Sequence, residues 1–171
     1  MSVSVSQELL DVVDENDRVI GVRTRGEIHA QGLMHRSVHI LVFNGKGELF
    51  IQKRSMIKDN EPGLWDSSAA GHVDSGEDYF DCAIRELGEE LGVTEPPSLE
   101  PLFRLAASPI TGMEHCIVYR CNNDGPFELQ AEEIDEGAWI SDSEMDRRVF
   151  EADTGMTRVL RFIWNKLREE F

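Results

Sequence analysis

Apolar positions along the chain follow two rhythms, an alternating one and a helical one. Residues 9 to 25 read as a hairpin: Leu10, Val12 and Val13 enter the polar turn Asp14-Glu15-Asn16-Asp17, and Val19, Ile20 and Val22 leave it. Gly26 to His35 reads as a connector holding Gly32 and two histidines. Val38 to Phe43 is almost continuously apolar, as in a central strand covered on both faces. After Asn44-Gly45-Lys46-Gly47 the segment Leu49 to Arg54 returns antiparallel to it, with Phe50, Gln52 and Arg54 on one side so that its polar end can reach a cleft. Pro62-Gly63 marks a turn, and Leu64-Trp65 leads into the small residues Ser67 to Gly71, which permit close backbone approach to a ligand or helix.

Phe80, Ile84, Leu87 and Leu91 recur at steps of four, three and four, so the spacing predicts a helix with these residues on its packed face and Gly92 after its end. Pro96 and Pro97 close that region. Leu102 to Ala107, Cys116 to Cys121 and Ala138 to Ile140 read as further strands, with a loop around Pro109 and Gly112. From Met156 onward, Val159, Leu160, Ile163, Trp164, Leu167 and Phe171 form the stripe of an amphipathic helix packed on the sheet. No repeat or linker interrupts this order, so residues 1–171 are expected to form one domain with a mixed sheet between helices.

Glu86, Glu89 and Glu90 change the picture, because they converge at i, i+3 and i+4 on the side of that helix opposite the apolar stripe. They crowd its last turns, where the macrodipole already presents negative charge. Arg85 is expected to pair with Glu77 across the joint between loop and helix, and one guanidinium cannot balance four carboxylates. A divalent cation can, and Mg²⁺ or Mn²⁺ prefers oxygen ligands. A solvated acidic face is the competing reading, natural in a chain of net charge −16.

That charge argues against binding nucleic-acid polymers, whose phosphates demand a basic surface. A small anionic substrate is compatible with it, given local cations. No stretch reaches the ~20 apolar residues of a membrane span, and the N-terminus lacks the basic and apolar regions of a secretory signal. Cys82, Cys116 and Cys121 form no CxxC pair and suggest free thiols in a reducing compartment, so a cytoplasmic location is expected.

Gly71, then Glu77 after five residues, then Arg85-Glu86-Leu87-Gly88-Glu89-Glu90-Leu91-Gly92-Val93 after seven, matches the signature of the Nudix hydrolases at each specified position. The resemblance implies a Nudix fold, an α/β/α sandwich of the α+β kind with a mixed sheet. It implies hydrolysis of a nucleoside or other organic diphosphate with Mg²⁺ or Mn²⁺ held by Glu86, Glu89 and Glu90. A backbone carbonyl near Ala70 or Gly71 is implied as a further ligand, and Glu77 with Arg85 as a structural pair. The expected partner is a small-molecule diphosphate, with homodimerisation left open.

A second resemblance runs from about Leu10 to Tyr119. The chain is similar to the Nudix-fold isopentenyl-diphosphate isomerases in Arg25 and His29, in His35 opening the central strand, and in Gly71-His72. Arg54 and Lys58 followed by Pro62-Gly63-Leu64-Trp65 extend the likeness, as does Glu114. In those enzymes the histidines help to hold a metal and the cations grip the diphosphate, which implies a second metal site at His29, His35, His72 and Glu114. Hydrogen-bonded structural histidines are the plainer alternative, and His39, inside the apolar strand, reads as a satisfied core or face residue. The isomerases need a cysteine just before the Gly-His pair, and Ala70 stands there; a methyl group moves no proton. The helix acids, which isomerases generally lack, are complete.

The expected reaction is therefore attack of water on phosphorus, with Arg25, Arg36, Arg54 and Lys58 anchoring phosphate oxygens. Glu89, Glu90, Glu114 and Glu133 are the candidate proton acceptors. Trp65, Phe103 and Phe127 could stack on a base or prenyl group, or simply line the core. An isomerase and a catalytically idle binding module of the same fold are the two rival classes.

Overall fold

The computed structural model describes residues 5–95 and 98–171; Met1 to Ser4 and the Pro96-Pro97 pair lie outside the described residues. Strand β3 (His35–Phe43) is the spine of a seven-stranded mixed sheet. It pairs in parallel with β8 (Glu114–Asn122) along its whole length, from His35 opposite Glu114 to Phe43 opposite Asn122. On its other edge it meets β4 (Leu49–Arg54) at Phe43 and Leu49, and β6 (Ala69–His72) from Ser37 to Ile40, both antiparallel. Beyond these lie β5 (Trp65–Asp66) and β9 (Ile134–Ile140) on β4, and β7 (Glu100–Leu105) on β8.

The apolar run of β3 is buried on both faces, as its composition predicts. Val38, Ile40 and Val42 pack with Cys82, Ala83, Leu87 and Leu91 of α2 (Tyr79–Leu91). Leu41 and Phe43 pack on the opposite face with Leu160, Ile163, Trp164 and Leu167 of α4 (Arg158–Glu170). The alternation of one strand thus feeds two cores, and the result is an α/β/α sandwich. The hairpin of β1 (Leu9–Val13) and β2 (Val19–Thr24) forms a separate two-stranded sheet, and Val13 donates from its backbone to the Met34 carbonyl ahead of β3.

Two local readings need correction, and one helix is added to them. The connector from Gly26 contains a helix, α1 (Arg25–Gln31), opened by a reciprocal cap in which the Thr24 hydroxyl and Glu27 carboxylate accept from each other's backbone amides. Gly32 closes it at φ 65°, a conformation that favours glycine. A further helix, α3 (Asp142–Phe150), follows β9, with the Ser141 hydroxyl accepting from the Glu144 amide. On α2, Phe80 is 46% exposed, and the buried set is Cys82, Ala83, Glu86, Leu87, Glu90 and Leu91. Two of the acids therefore lie on the packed side of the helix.

Candidate active site

A cleft of about 950 Å³ opens where the end of β6 meets α2, the loop after β4 and the loop before β9. Glu86, Glu89 and Glu90 border it together with Ala70 and Gly71. Glu86 and Glu90 are 9% and 4% exposed, while the Glu89 side chain is half exposed. Glycine at 71 permits this: a Cβ there would lie 2.1 Å from Glu86 Oε1. Glu90 Oε2 accepts from the Ala70 amide and from Gln52 Nε2, each at 3.2 Å, so β6 and β4 both orient it. Gln52 takes part in the site through the polar alternation of its strand.

Arg85 holds the joint. Its Nε and Nη2 donate to the two oxygens of Glu77 at 2.9 Å, in a two-pronged pair, and Nη2 also donates to the His72 carbonyl at 3.1 Å. Nη1 reaches Glu86 at 2.8 Å and Glu89 at 3.3 Å. Glu77 in turn accepts from the Asp74 amide, which ties the loop before α2 to the helix. Burial would raise the Glu77 carboxyl, but its bonds to Arg85 outweigh that and hold it below the usual carboxylate range.

Glu86 and Glu90 show the opposite behaviour. Burial, and then repulsion from Glu89 in one case and from Glu86 in the other, push both carboxyls up, and Arg85 offsets this only in part for Glu86. Buried carboxylates that repel each other across an opening to solvent are the donor set a hard divalent cation requires. The residues present fit such an ion, with Glu89 at the rim of the same group.

A second cluster borders the cleft beside β8. Ligating nitrogens of His29, His35 and His72 all lie within 4.8 Å of one another. Glu114 Oε2 stands 3.4 Å from His35 Nε2 and 3.3 Å from His72 Nε2. His35 Nδ1 faces the Leu33 carbonyl at 2.9 Å, whereas its buried Nε2 has no aligned hydrogen bond among the described residues beyond the Glu114 oxygen it faces. Burial would raise Glu114, but the histidines beside it hold it well below the usual range. Burial and the neighbouring Arg25 hold His29 below its ordinary value, which favours the neutral imidazole that ligates metals. Three imidazoles and a carboxylate are a set that could hold a transition metal.

Of the cations read from sequence, Arg25, Arg54 and Lys58 border the cleft. Arg25 faces Asp59 at 3.5 Å, Arg54 donates to the Asn60 carbonyl at 2.8 and 3.1 Å and to Asp66 at 3.4 Å, and Lys58 is paired with Glu133. Arg36 is placed elsewhere: it donates to Asp17 Oδ1 and to the Asp17 carbonyl, both at 2.7 Å, and lies over Tyr79, binding the hairpin turn to α2. It does not line the cleft, because its alternation on β3 sends it away from His35 and Ser37. Glu133 does line it, and its charge bears on both Glu86 and Glu90. Trp65, Phe103 and Phe127 pack into the two cores, Phe127 edge-on to Phe50 at 4.8 Å. The three cysteines are buried free thiols, and no helix among the described residues is long and apolar enough to cross a membrane.

Comparison with known proteins agrees with this architecture. The model of the NUDIX domain matches residues 33–161. An uncharacterised Nudix hydrolase of Pseudomonas aeruginosa is 42% identical over 133 residues, covering 78% of each chain. Another, YfcD of Escherichia coli K12, is 33% identical over 164 residues, covering 94% of this chain and 88% of its own. Among solved structures, DR0079 of Deinococcus radiodurans superposes with a TM-score of 0.82 at 29% identity, covering 93% of this chain and 98% of that one. The NUDIX domain of NrtR from Shewanella oneidensis, solved with ADP ribose, shares the fold at a TM-score of 0.60 and 16% identity, covering 86% of this chain and 99% of that one.

Proposed function

The chain belongs to the Nudix hydrolase family, and on that premise we propose that it hydrolyses the diphosphate linkage of a small organic or nucleoside diphosphate derivative, dependent on Mg²⁺ or Mn²⁺. The observation that carries this reading is the pair of buried, mutually repelling carboxylates, Glu86 and Glu90, seated against Gly71 at the wall of a large cleft.

Glu86, Glu89 and Glu90 would hold the ion, with the carbonyl of Ala70 or Gly71 beside them. Such an ion, when bound, neutralises phosphate oxygens and lowers the pKa of a water. The chain's own residues supply the rest. Arg85 keeps Glu86 and Glu89 aimed at the cleft, and Glu77 keeps Arg85 in place. Arg54, Lys58 and Arg25 border the same space and neutralise the phosphate oxygens, which aligns the scissile bond. Water attacks one phosphorus, the bridging P–O bond breaks, and the leaving phosphate keeps the electron pair. The proton of the attacking water goes to Glu89, which borders the cleft half exposed; Glu133 is paired with Lys58, and Glu114 is committed to the histidines.

His29, His35, His72 and Glu114 would hold a second cation, supported by the converging nitrogens and by the Glu114 carboxylate 3.4 Å from the buried Nε2 of His35. The isomerase alternative lacks its proton carrier at Ala70, which stands on β6 opposite His39. Appearance of the cleavage products, a nucleoside monophosphate and a sugar phosphate from nucleotide sugars and inorganic phosphate from nucleoside or prenyl diphosphates, with and without Mg²⁺ or Mn²⁺, tests the proposal. Metal-dependent release from at least one class is expected; conversion of the isopentenyl to the dimethylallyl ester without release would contradict it.

A further inference from the structure

One wall of the cleft is built by α4 and the loop after β4, and of its charges the reaction uses Arg54 and Lys58 alone. Arg158 and Val159, in the first turn of α4, border the cleft with Asn60 and Glu61. The buried Asp66 joins the two elements: one oxygen accepts from Arg54 Nη1 at 3.4 Å and the other from Thr157 Oγ1 at 3.1 Å. Arg161 lies three residues beyond Arg158, next to it on the same helix face. Neither arginine has a carboxylate within ion-pair distance among the described residues, and the sealed Nε of Arg161 has no hydrogen-bond partner there. The chain carries a net charge of −16, and Arg25, Arg54 and Lys58 of the same cleft each face an acid. Two adjacent arginines without one are therefore unusual.

Glu61 is the acid brought towards them. The Arg54 guanidinium donates to the Asn60 carbonyl and the Arg54 carbonyl accepts from the Gly63 amide, which folds the loop back on its own base. Glu61 adopts φ 47° directly before Pro62, a left-handed conformation that is uncommon for a residue with a side chain and further disfavoured ahead of proline. Strain of this kind, kept at the wall of a cleft, points to a role. Burial, and then repulsion from Asp66, push the Glu61 carboxyl up, and the charges of Arg54, Arg158 and Arg161 offset this. The carboxylate thus stands in the field of three arginines and forms an ion pair with none of them.

A carboxylate that screens cations without bonding them leaves their N–H groups free for a stronger anion, and guanidinium forks match phosphate oxygens. We propose that Arg158, supported by Arg161 and Arg54, forms a second anion subsite that takes a phosphate dianion, and that Glu61 screens this subsite until the phosphate displaces it. Arg158 supplies the donors at the cleft, while Arg161 contributes charge. The phosphate is carried by the far end of the substrate or is free in solution; either source meets the same donors. The inference goes beyond the diphosphate-hydrolase reading, since Arg158, Arg161 and Glu61 are no part of the group that would hold the metal.

The test is calorimetric binding to the full chain, in Mg²⁺ at fixed ionic strength. The probes are alkyl methylenediphosphonates of graded chain length ending in a methyl group, the same series ending in a phosphonate, and inorganic phosphate alone. A phosphonate-ended probe that binds about tenfold or more tighter than its methyl-ended counterpart identifies the far end of the substrate, and saturable binding of inorganic phosphate alone identifies the free ion. Arg158→Gln should abolish that gain or that binding, Arg158→Lys should restore part of it, and Arg161→Gln should cost roughly threefold. Glu61→Gln should strengthen the same binding roughly threefold and leave the methyl-ended probes unchanged. No phosphate-dependent binding, binding that survives Arg158→Gln, or binding no tighter in Glu61→Gln would overturn the proposal. If Arg161→Gln does not fold, Arg158→Gln and Glu61→Gln, both at exposed residues, decide the matter. Cleavage of a diphosphate linkage reads the hydrolase assignment separately: Arg158-dependent binding without cleavage sinks only that assignment, and cleavage without such binding sinks only the subsite.

Discussion

The Glu86 carboxylate fills the space that a side chain at position 71 would need, with its carboxyl carbon 2.2 Å and its oxygens 2.1 and 2.7 Å from a Cβ built on Gly71. The obstructing atoms are the end of a flexible side chain, so the fold can absorb a methyl group there while the carboxylate moves aside. Gly71→Ala should therefore fold with a melting temperature within a few degrees of wild type and lose about a hundredfold in kcat/KM, the scale expected for an ångström of misplacement. Thermal melts beside steady-state kinetics check this. Intact activity in a folded Gly71→Ala protein would mean that Glu86 need not sit where it does.

The Glu77–Arg85 pair should account for part of the acid sensitivity of the fold. Glu77 is held below its ordinary value of 4.5 in the native state, so its contribution is present above that pH and is lost as pH falls through the lower native value. Unfolding free energy should fall below about pH 4.5 in wild type, and less steeply in Glu77→Gln. Arg85→Lys, which keeps the charge but cannot form the two-pronged pair, should cost roughly 2 kcal/mol at neutral pH. Urea titrations across the pH range measure both.

Glu86 and Glu90 predict the opposite slope in metal-free protein. Their native pKa values lie above 4.5, so the folded state binds more protons and stability declines as pH rises from there through the native values. Glu90→Gln should raise metal-free stability at pH 8 by about 1 kcal/mol or more while abolishing activity. Added Mg²⁺ should stabilise wild type more at pH 8 than at pH 6, because it binds the ionised acids of the native state. A Glu90→Gln protein that is less stable than wild type without metal would contradict this.

The histidine cluster should take up a transition metal independently of the helix acids. Calorimetry with Mn²⁺ or Zn²⁺ on Glu90→Gln should still detect one site, and adding His35→Ala or His72→Ala should remove it, with a loss of about tenfold or more in affinity. Identical uptake with and without His35 would leave these residues a structural role only.

Much of this architecture was legible in sequence, because strands and amphipathic helices carry their own periods. The double burial of β3 and the stripe of α4 are cases in point. The loop and acids at Gly71, Glu77 and Glu86 to Glu90 stood out through spacing, since a local unit keeps its sequence intervals in space. The orientation of α2 was harder. Hydrophobicity places Phe80 inward and the acids outward, whereas Glu86 and Glu90 are buried and Phe80 is largely exposed. A site that needs desolvated carboxylates breaks the pattern that hydrophobicity predicts. The short helix α1 buries Ile28 as its one apolar side chain and so has no stripe, although Thr24-x-x-Glu27 and Gly32 marked both its ends. Pairings such as Lys58 with Glu133, 75 residues apart, depend on how β4 and β9 align and have no local signal. Arg36 illustrates the converse, a cation close in sequence to site residues yet committed to Asp17.

The most direct measurement is the initial rate of product release by cleavage of the diphosphate linkage of the best substrate of the panel, titrated with Mg²⁺ for wild type and for the folded Glu90→Gln variant. Release that depends on the ion in wild type and falls by about a hundredfold or more in the variant at every Mg²⁺ concentration is the predicted result. Release at near wild-type rates by Glu90→Gln, or wild-type release that persists in the presence of a chelator, would contradict the account.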